Sequence, residues 1–328
     1  MSLVQVRRNS KQIHGLLSAM RSADRLGRYM NEIGKKITQK LIEIHGDNDF
    51  VIGFLPYKRS MWNSMESVYQ ECRNAGAVAY VLPLPYYLMP EKEVVCEREL
   101  FPEALDISLL GKISFDYLVI HYPYDGHNKV TSMLPEYYTA ELRNYGKVIF
   151  IPYSCTPGIF TRLHSGLANI DYAFLCSESE CDAFISEWAA HGVDFTGRVF
   201  GYGSPKMDAV QKCSRGSATL VINSLAPYLY APFVRIDAYR RVITNEIERG
   251  RKVIFRPHPL LRQTIKGMRP DTAEAYSEFI KWCNEQENVI VDETENLEQA
   301  LDKADYLISD PSSVLEMWQS TGREYTVL

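Results

Sequence analysis

The chain has no apolar run approaching the roughly 20 residues needed to span a bilayer, so no transmembrane helix is expected. Its first residues lack the apolar core of a signal peptide, and no secretory leader is expected either. Seven cysteines form no CxxC pair, which argues against both a disulfide framework and a zinc site. There is no internal repeat and no low-complexity segment, and no G-x-G-x-x-G dinucleotide fingerprint occurs. Together these absences point to a protein of the reducing cytoplasm with no resident cofactor or metal.

What is present is an ordinary globular composition of 46% hydrophobic and 23% charged residues over 328 positions, enough for two domains. Charge is unevenly spread. Residues 1–46 carry nine Lys/Arg against Asp24, Glu32 and Glu43, a net of +6; the whole chain is −5, so the rest carries −11. Within the basic segment Ile13, Leu16, Leu17 and Met20, then Leu26, Met30, Ile33, Ile37 and Leu41, recur at helical spacing. Such a segment suits either a helix packed on its own domain or one lying on an anionic membrane surface. The acidic remainder excludes nucleic acid as an expected partner.

Beyond residue 48 the pattern is alternation. Short apolar strands are predicted at 50–55, 77–82, 116–120, 147–151, 171–175 and 197–200, with helices at 61–75 and 179–190 among them. A second series starts near 218, with strands at 218–223, 252–256, 288–292, 305–309 and 324–328 and helices at 232–249, 272–286, 296–303 and 312–320. Continuously apolar strands alternating with helices indicate parallel sheets covered on both faces. The fold class is therefore α/β with two Rossmann-like domains, divided as 1–48 (helical basic extension), 49–212 and 213–328. Ligands in such folds sit beyond the carboxyl ends of the strands, so the loops there are the candidate sites.

Those loops are unusual. In "RPHPLLRQTIKGMRP" (256–270) Arg256 and His258 leave a strand directly, with prolines limiting flexibility and Thr264, Lys266 and Arg269 adding donors. This density of donors at a strand end suits phosphates. In "LISDPSSVLEMW" (307–318) Asp310, Ser312 and Ser313 stand where a helix begins, either as caps or as anion donors. "VFGYGSPKMDAV" (199–210) offers Ser204, Lys206 and Asp208 at the seam between the halves. "FIPYSCTPGIF" (150–160) and "IHYPYDGHNKVTS" (120–132) are rich in Tyr, Pro and small hydroxyls that suit a polyol or sugar acceptor, with His121, His127 and Asp125 as candidate bases. Asp47-Asn48-Asp49 reads as a turn.

"GSPKMD", "RPHP", "GMRP" and "SDPSS" followed by "TGREYTVL", with "FLPYKRSMWNSMESVY" and "LPLPYY" upstream, resemble the CDP-glycerol glycerophosphotransferase family, which primes and polymerises teichoic acids. The resemblance covers roughly residues 50–328. It implies a GT-B fold and metal-independent transfer of glycerol phosphate from CDP-glycerol, or ribitol phosphate from CDP-ribitol. The acceptor it implies is a hydroxyl of a lipid-linked polyol-phosphate or glycan, a cell-wall or capsule precursor at the inner membrane face. It places His258, Asp310, Ser312 and Ser313 at the donor diphosphate and Asp208 at a functional aspartate; the loop reading adds Arg256, Arg269, Thr264, Ser204 and Lys206 on the donor side and Asn63, His121, Tyr153, Cys155 and Thr156 on the acceptor side. Two departures stand out. Where the family has a histidine loop, this chain has Tyr153, Ser154 and Cys155, which leaves Asp125 or His121 as base, or a nucleotide-binding protein without catalysis. The chain also stops at a strand, as a truncated C-terminal domain would. A GT-B glycosyltransferase using another nucleotide sugar is the further alternative.

Overall fold

The computed structural model describes residues 31–101, 103–154, 164–231 and 234–328. The proposed amphipathic arm over residues 1–30, and Cys155 and Thr156, lie outside them.

The first described element, α1 (Glu32–His45), buries Gly34, Ile37, Thr38 and Leu41, one stripe at three- to four-residue spacing. Gly46 ends it with φ 106°, a left-handed value that glycine adopts without a Cβ penalty. This part of the basic segment packs on its own domain, against α2. The first half continues as β1 (Val51–Phe54), α2 (Glu66–Ala75), β2 (Val78–Val81), β3 (Tyr86–Leu88), β4 (Glu93–Val95), β5 (Tyr117–Ile120), β6 (Thr131–Met133), α3 (Thr139–Leu142), β7 (Lys147–Phe150), β8 (Tyr172–Leu175), α4 (Glu178–Ala189), β9 (Val199–Gly201) and α5 (Lys206–Gln211). The second half runs β10 (Ala218–Asn223), α6 (Ala226–Tyr230), α7 (Ile236–Glu248), β11 (Val253–Pro257), α8 (Leu261–Met268), α9 (Ala273–Asn284), β12 (Val289–Val291), α10 (Leu297–Lys303), β13 (Ala304–Ser309), α11 (Ser313–Gln319) and β14 (Glu324–Val327).

Two parallel sheets result, ordered β2-β1-β5-β7-β8-β9 and β12-β11-β10-β13-β14. Successive residues of a strand point to opposite faces, and both faces are covered. Leu118 and Ile120 pack in one cluster while Tyr117 and Val119 pack in another. Leu220 and Ile222 likewise oppose Val221 across the second sheet.

Two features differ from the sequence reading. β3, β4 and β6 form a small antiparallel sheet, each strand three residues long and too short to register as a periodic run. Residues 261–268, read as a basic loop, are helix α8: Leu261 and Ile265 sit four apart and face the core, while Arg262 and Lys266 stay in water. This helix spans the halves. Lys266 Nζ pairs with Glu91 at 2.8 Å, Gln263 donates to the Met89 carbonyl, and Leu260 and Met268 join the first half's core cluster.

At Gly34 the helices α1 and α2 touch so closely that an added Cβ would meet the Ser67 backbone carbonyl at 2.7 Å. Gly34→Ala is expected to lower stability by about 1–3 kcal/mol through this overpacking, measured by denaturant unfolding; an unchanged midpoint would mean that α1 is not seated here.

Candidate functional site

Loops leaving the carboxyl ends of both sheets meet between the halves. After β1 the chain reaches Lys58, 6% exposed, whose ammonium pairs with Glu97 at 2.6 Å and donates to the Tyr86 hydroxyl at 3.2 Å. After β9 it reaches Lys206, buried in the first turn of α5. After β11 it reaches His258, half-buried. His258 Nδ1 accepts the Leu260 N–H at 3.1 Å, so the neutral ring carries its proton on Nε2 and presents a donor there. Burial lowers the proton affinity of His258, and Lys206, Lys58 and Arg256 lower it further. Lys206 and Lys58 of one half thus act on the imidazole of the other, with Lys58 already paired to Glu97.

His121 lies at the same strand edge and is fully buried. Its Nε2 accepts the Tyr57 N–H at 3.4 Å, so its proton sits on Nδ1, 3.2 Å from Ser64 Oγ, whose own hydroxyl is donated to the Met61 carbonyl. Burial first, then Lys206, pushes its pKa down to about 3. With both nitrogens taken, His121 is a neutral structural group in this geometry rather than an acceptor-side base.

Several other candidates also serve the fold. Arg256 was expected to offer its fork to phosphate, but it is 5% exposed and its two terminal nitrogens go to Asp292 at 2.6 Å and to the Thr294 hydroxyl (3.3 Å) and carbonyl (2.8 Å). It braces the loop after β12. Arg269 pairs with Asp271 at 3.2 Å and donates to the Ala231 carbonyl at 3.1 Å. Thr264 is buried and donates within α8 to Leu260. Asp208, expected to be functional, is fully buried and accepts the N–H groups of Ile33 and Gly34 at 3.1 and 2.9 Å, which caps α1. Asp125 sits at φ 47° and takes the Thr139 N–H (3.0 Å) and hydroxyl (2.8 Å) on one oxygen, while burial raises its proton affinity. Asp310 accepts from the Ser224 N–H at 3.1 Å and from the Tyr239 hydroxyl, again with proton affinity raised by burial. Ser312 caps α11 by accepting the Leu315 N–H at 3.2 Å, and Ser313 follows as its first residue. His127 is exposed.

Three groups face the seam itself. Asn63 Nδ2 donates to Glu298 across the halves at 2.8 Å, and its Oδ1 is buried without a partner among the described residues. Ser204 is buried beside Lys206, with its hydroxyl likewise unpartnered. Tyr153 hydrogen-bonds Tyr124 through hydroxyls 2.7 Å apart.

Lys58 escaped the sequence reading, although it follows β1 by the same strand-end rule that selected His258. A cavity of about 200 Å³ adjoins His258, lined also by Pro257, Arg262, Tyr276, Thr294 and Glu295. A larger open groove of about 650 Å³ lies between α1 and α2, with Tyr202 after β9 at its edge. Size alone does not select the site.

No protein-family model matches the chain, and no curated protein matches it in sequence. Similar solved structures include the UDP-GlcNAc 2-epimerase of Methanocaldococcus jannaschii in complex with UDP-GlcNAc and UDP, at 10% identity and TM-score 0.55 over 85% of this chain and 83% of that one. The UDP-GlcNAc 2-epimerase from Neisseria meningitidis bound to UDP-GlcNAc aligns at 12% identity and TM-score 0.54, over 85% and 82%. The wall teichoic acid polymerase TagF aligns at 11% identity and TM-score 0.48, over 99% and 78%. The fold is GT-B. In GT-B terms, the lysines and His258 stand at the interdomain cleft.

The neutral histidines make a prediction about stability. An unfolded histidine protonates near pH 6.5, whereas His121 does so only near 3, so between these values the unfolded state binds more protons. Stability should therefore fall as pH drops from about 6.5 toward 3, with His258 acting in the same direction. His121→Gln should be less stable at pH 7.5 but show a shallower decline of Tm toward pH 4.5. Parallel curves for the two proteins would rule out a neutral, buried His121.

Proposed function

We propose that the chain is a transferase that moves glycerol phosphate from CDP-glycerol to a hydroxyl of a lipid-linked cell-wall, teichoic-acid or capsule precursor. The observation that supports this reading most is the convergence of Lys58, Lys206 and His258 at the cleft of a GT-B fold. A nucleoside diphosphate ester brings negative charge to be neutralised, and two partly desolvated ammonium groups do that more strongly than they would in open water.

In the reaction, the acceptor oxygen forms a bond to the β-phosphorus, and the bond from that phosphorus to the bridging oxygen breaks. The electron pair leaves with CMP, and the proton given up by the acceptor hydroxyl passes to the departing CMP phosphate. Lys58 and Lys206 hold the diphosphate and offset the charge that grows on the departing CMP. His258, neutral with its proton on Nε2, donates a hydrogen bond to the same oxygens. Ser204, with its unpartnered hydroxyl next to Lys206, supplies another donor. The Tyr124–Tyr153 pair lies on the acceptor half, where hydroxyls suit a polyol.

No helix among the described residues is long and apolar enough to cross a membrane. On this reading the +6 charge of residues 1–46 holds the protein against the anionic inner face of the membrane, where the acceptor resides.

Titration calorimetry with CDP-glycerol, CDP and UDP-glucose, on the wild type and on His258→Ala and Lys206→Met, tests this. CDP-glycerol should bind, and each substitution should weaken it by about tenfold or more, as expected for a lost charge-assisted contact. CMP should then appear when a lipid-linked glycerol phosphate acceptor is added. Preferential binding of UDP-glucose would favour a sugar transferase instead, and nucleotide binding without CMP release would favour a non-catalytic protein.

A further inference from the structure

An ammonium has three N–H groups, and that of Lys58 has two of them engaged by the fold. One goes to Glu97 Oε1 at 2.6 Å and one to the Tyr86 hydroxyl at 3.2 Å. A third acceptor is not found among the described residues. The Tyr86 hydroxyl in turn donates to Glu97 Oε1 at 2.9 Å, and burial, which raises its pKa first of all, keeps its proton in place. Glu97 Oε2 takes the backbone N–H of Arg59 at 2.6 Å. One carboxylate therefore holds both the side chain of Lys58 and the backbone of the residue after it.

This clamp comes from the small antiparallel sheet. Tyr86 opens β3 and Glu97 lies just beyond β4, whereas Lys58 follows β1 of the large parallel sheet. The side chains of Lys58 and Glu97 are only 8% and 11% exposed. An ion pair so far out of water regains little of its lost hydration, and apolar residues of the same volume often hold a loop as well or better. Stability alone does not account for it. What the pair supplies is direction. A lysine on its flexible stem gives up much rotamer freedom when a ligand fixes it. Here Glu97 and Tyr86 have fixed it before any ligand arrives. The ammonium so held is close enough to the imidazole of the other half to lower the proton affinity of His258.

We propose that Glu97 is a positioning residue: with Tyr86 it aims the Lys58 ammonium at the anion bound between the halves, and the small antiparallel sheet serves to carry both. The proposal rests on the reading of the cleft as a nucleotide-diphosphate site. Both oxygens of Glu97 are engaged within the fold, so it acts through Lys58 and not on the ligand. The opposite role would be that of a counter-ion competing with the ligand for the ammonium. The two roles differ in the sign of what a change at Glu97 does to binding.

The test is calorimetric titration of the full chain with inorganic pyrophosphate and with CDP. The variants are Glu97→Asp, Glu97→Gln and Tyr86→Phe, each made alone and together with Lys58→Met, with the Tm of each to show that it is folded. Glu97→Asp keeps the charge and shortens the reach by one methylene, so it separates aim from charge. It should weaken pyrophosphate by about five- to tenfold, the size of one lost charge-assisted contact, and Glu97→Gln by at least as much. In the Lys58→Met background the same changes should alter affinity by less than about twofold, because nothing is left to aim. Tyr86→Phe leaves both charges in place and should weaken binding by about threefold, again only when Lys58 is present; it serves if a Glu97 variant does not fold. Equal losses with and without Lys58 would mark Glu97 as a structural group and overturn the proposal, as would full affinity in Glu97→Asp. Tighter binding by Glu97→Gln would make it a competing counter-ion and overturn the proposal as well. If the wild type binds neither ligand, the reading of the cleft fails and the proposal with it. If Lys58→Met binds both as well as the wild type does, the reading of the cleft stands and the roles given to Lys58 and Glu97 fall.

Discussion

In a parallel sheet every strand delivers its carboxyl end to the same edge, and this chain builds two such sheets whose edges meet at one cleft. Groups that lie far apart in sequence therefore arrive together without any local signal joining them. Lys58 follows the first described strand, Lys206 the last strand of the first sheet and His258 the second strand of the next, yet the two lysines act on the same imidazole. The rest of the molecule is arranged so that these edges stay in place. Helix α8 reaches from the His258 loop to the small antiparallel sheet of the other half, held by the Lys266–Glu91 pair and by Leu260 and Met268 in the opposite core. An exposed ion pair contributes little, so the apolar contacts carry most of that attachment.

Charge within the cleft is managed by neutralising some groups and holding others. Lys58 is paired with Glu97 and Arg256 with Asp292. The two histidines give up their charge, since a proton on either would stand near Lys206 in a place with little water. The tautomers follow from the backbone: Leu260 fixes the His258 proton on Nε2, and Tyr57 fixes the His121 proton on Nδ1. Two histidines at equivalent strand ends thus have different prospects. One has both nitrogens occupied; the other keeps a donor to spend on a ligand.

The strands of both parallel sheets were legible because short continuous apolar runs, most of them three to six residues, leave few alternatives, and the strand-end rule then pointed to His258 and Lys206. What was not legible depended on distant partners. Nothing near Asp208 in sequence indicates that its carboxylate caps a helix some 175 residues earlier, and the pairing of Arg256 with Asp292 is equally invisible. Basic residues at a strand end read as phosphate ligands until their acidic partners are placed. Helix α8 was hidden because its charged residues and flanking prolines outweighed the short apolar stripe of Leu261 and Ile265.

The central claim is that His258 is a neutral donor aimed at an anion between the halves, and ¹⁵N-histidine NMR tests it directly. At neutral pH in the unliganded protein, His258 should show the Nε2–H tautomer with no titration near 6.5. Adding CDP should shift that signal while leaving His121 and the exposed His191 in place. A His258 that titrates normally, or that ignores CDP while other resonances respond, would contradict the account.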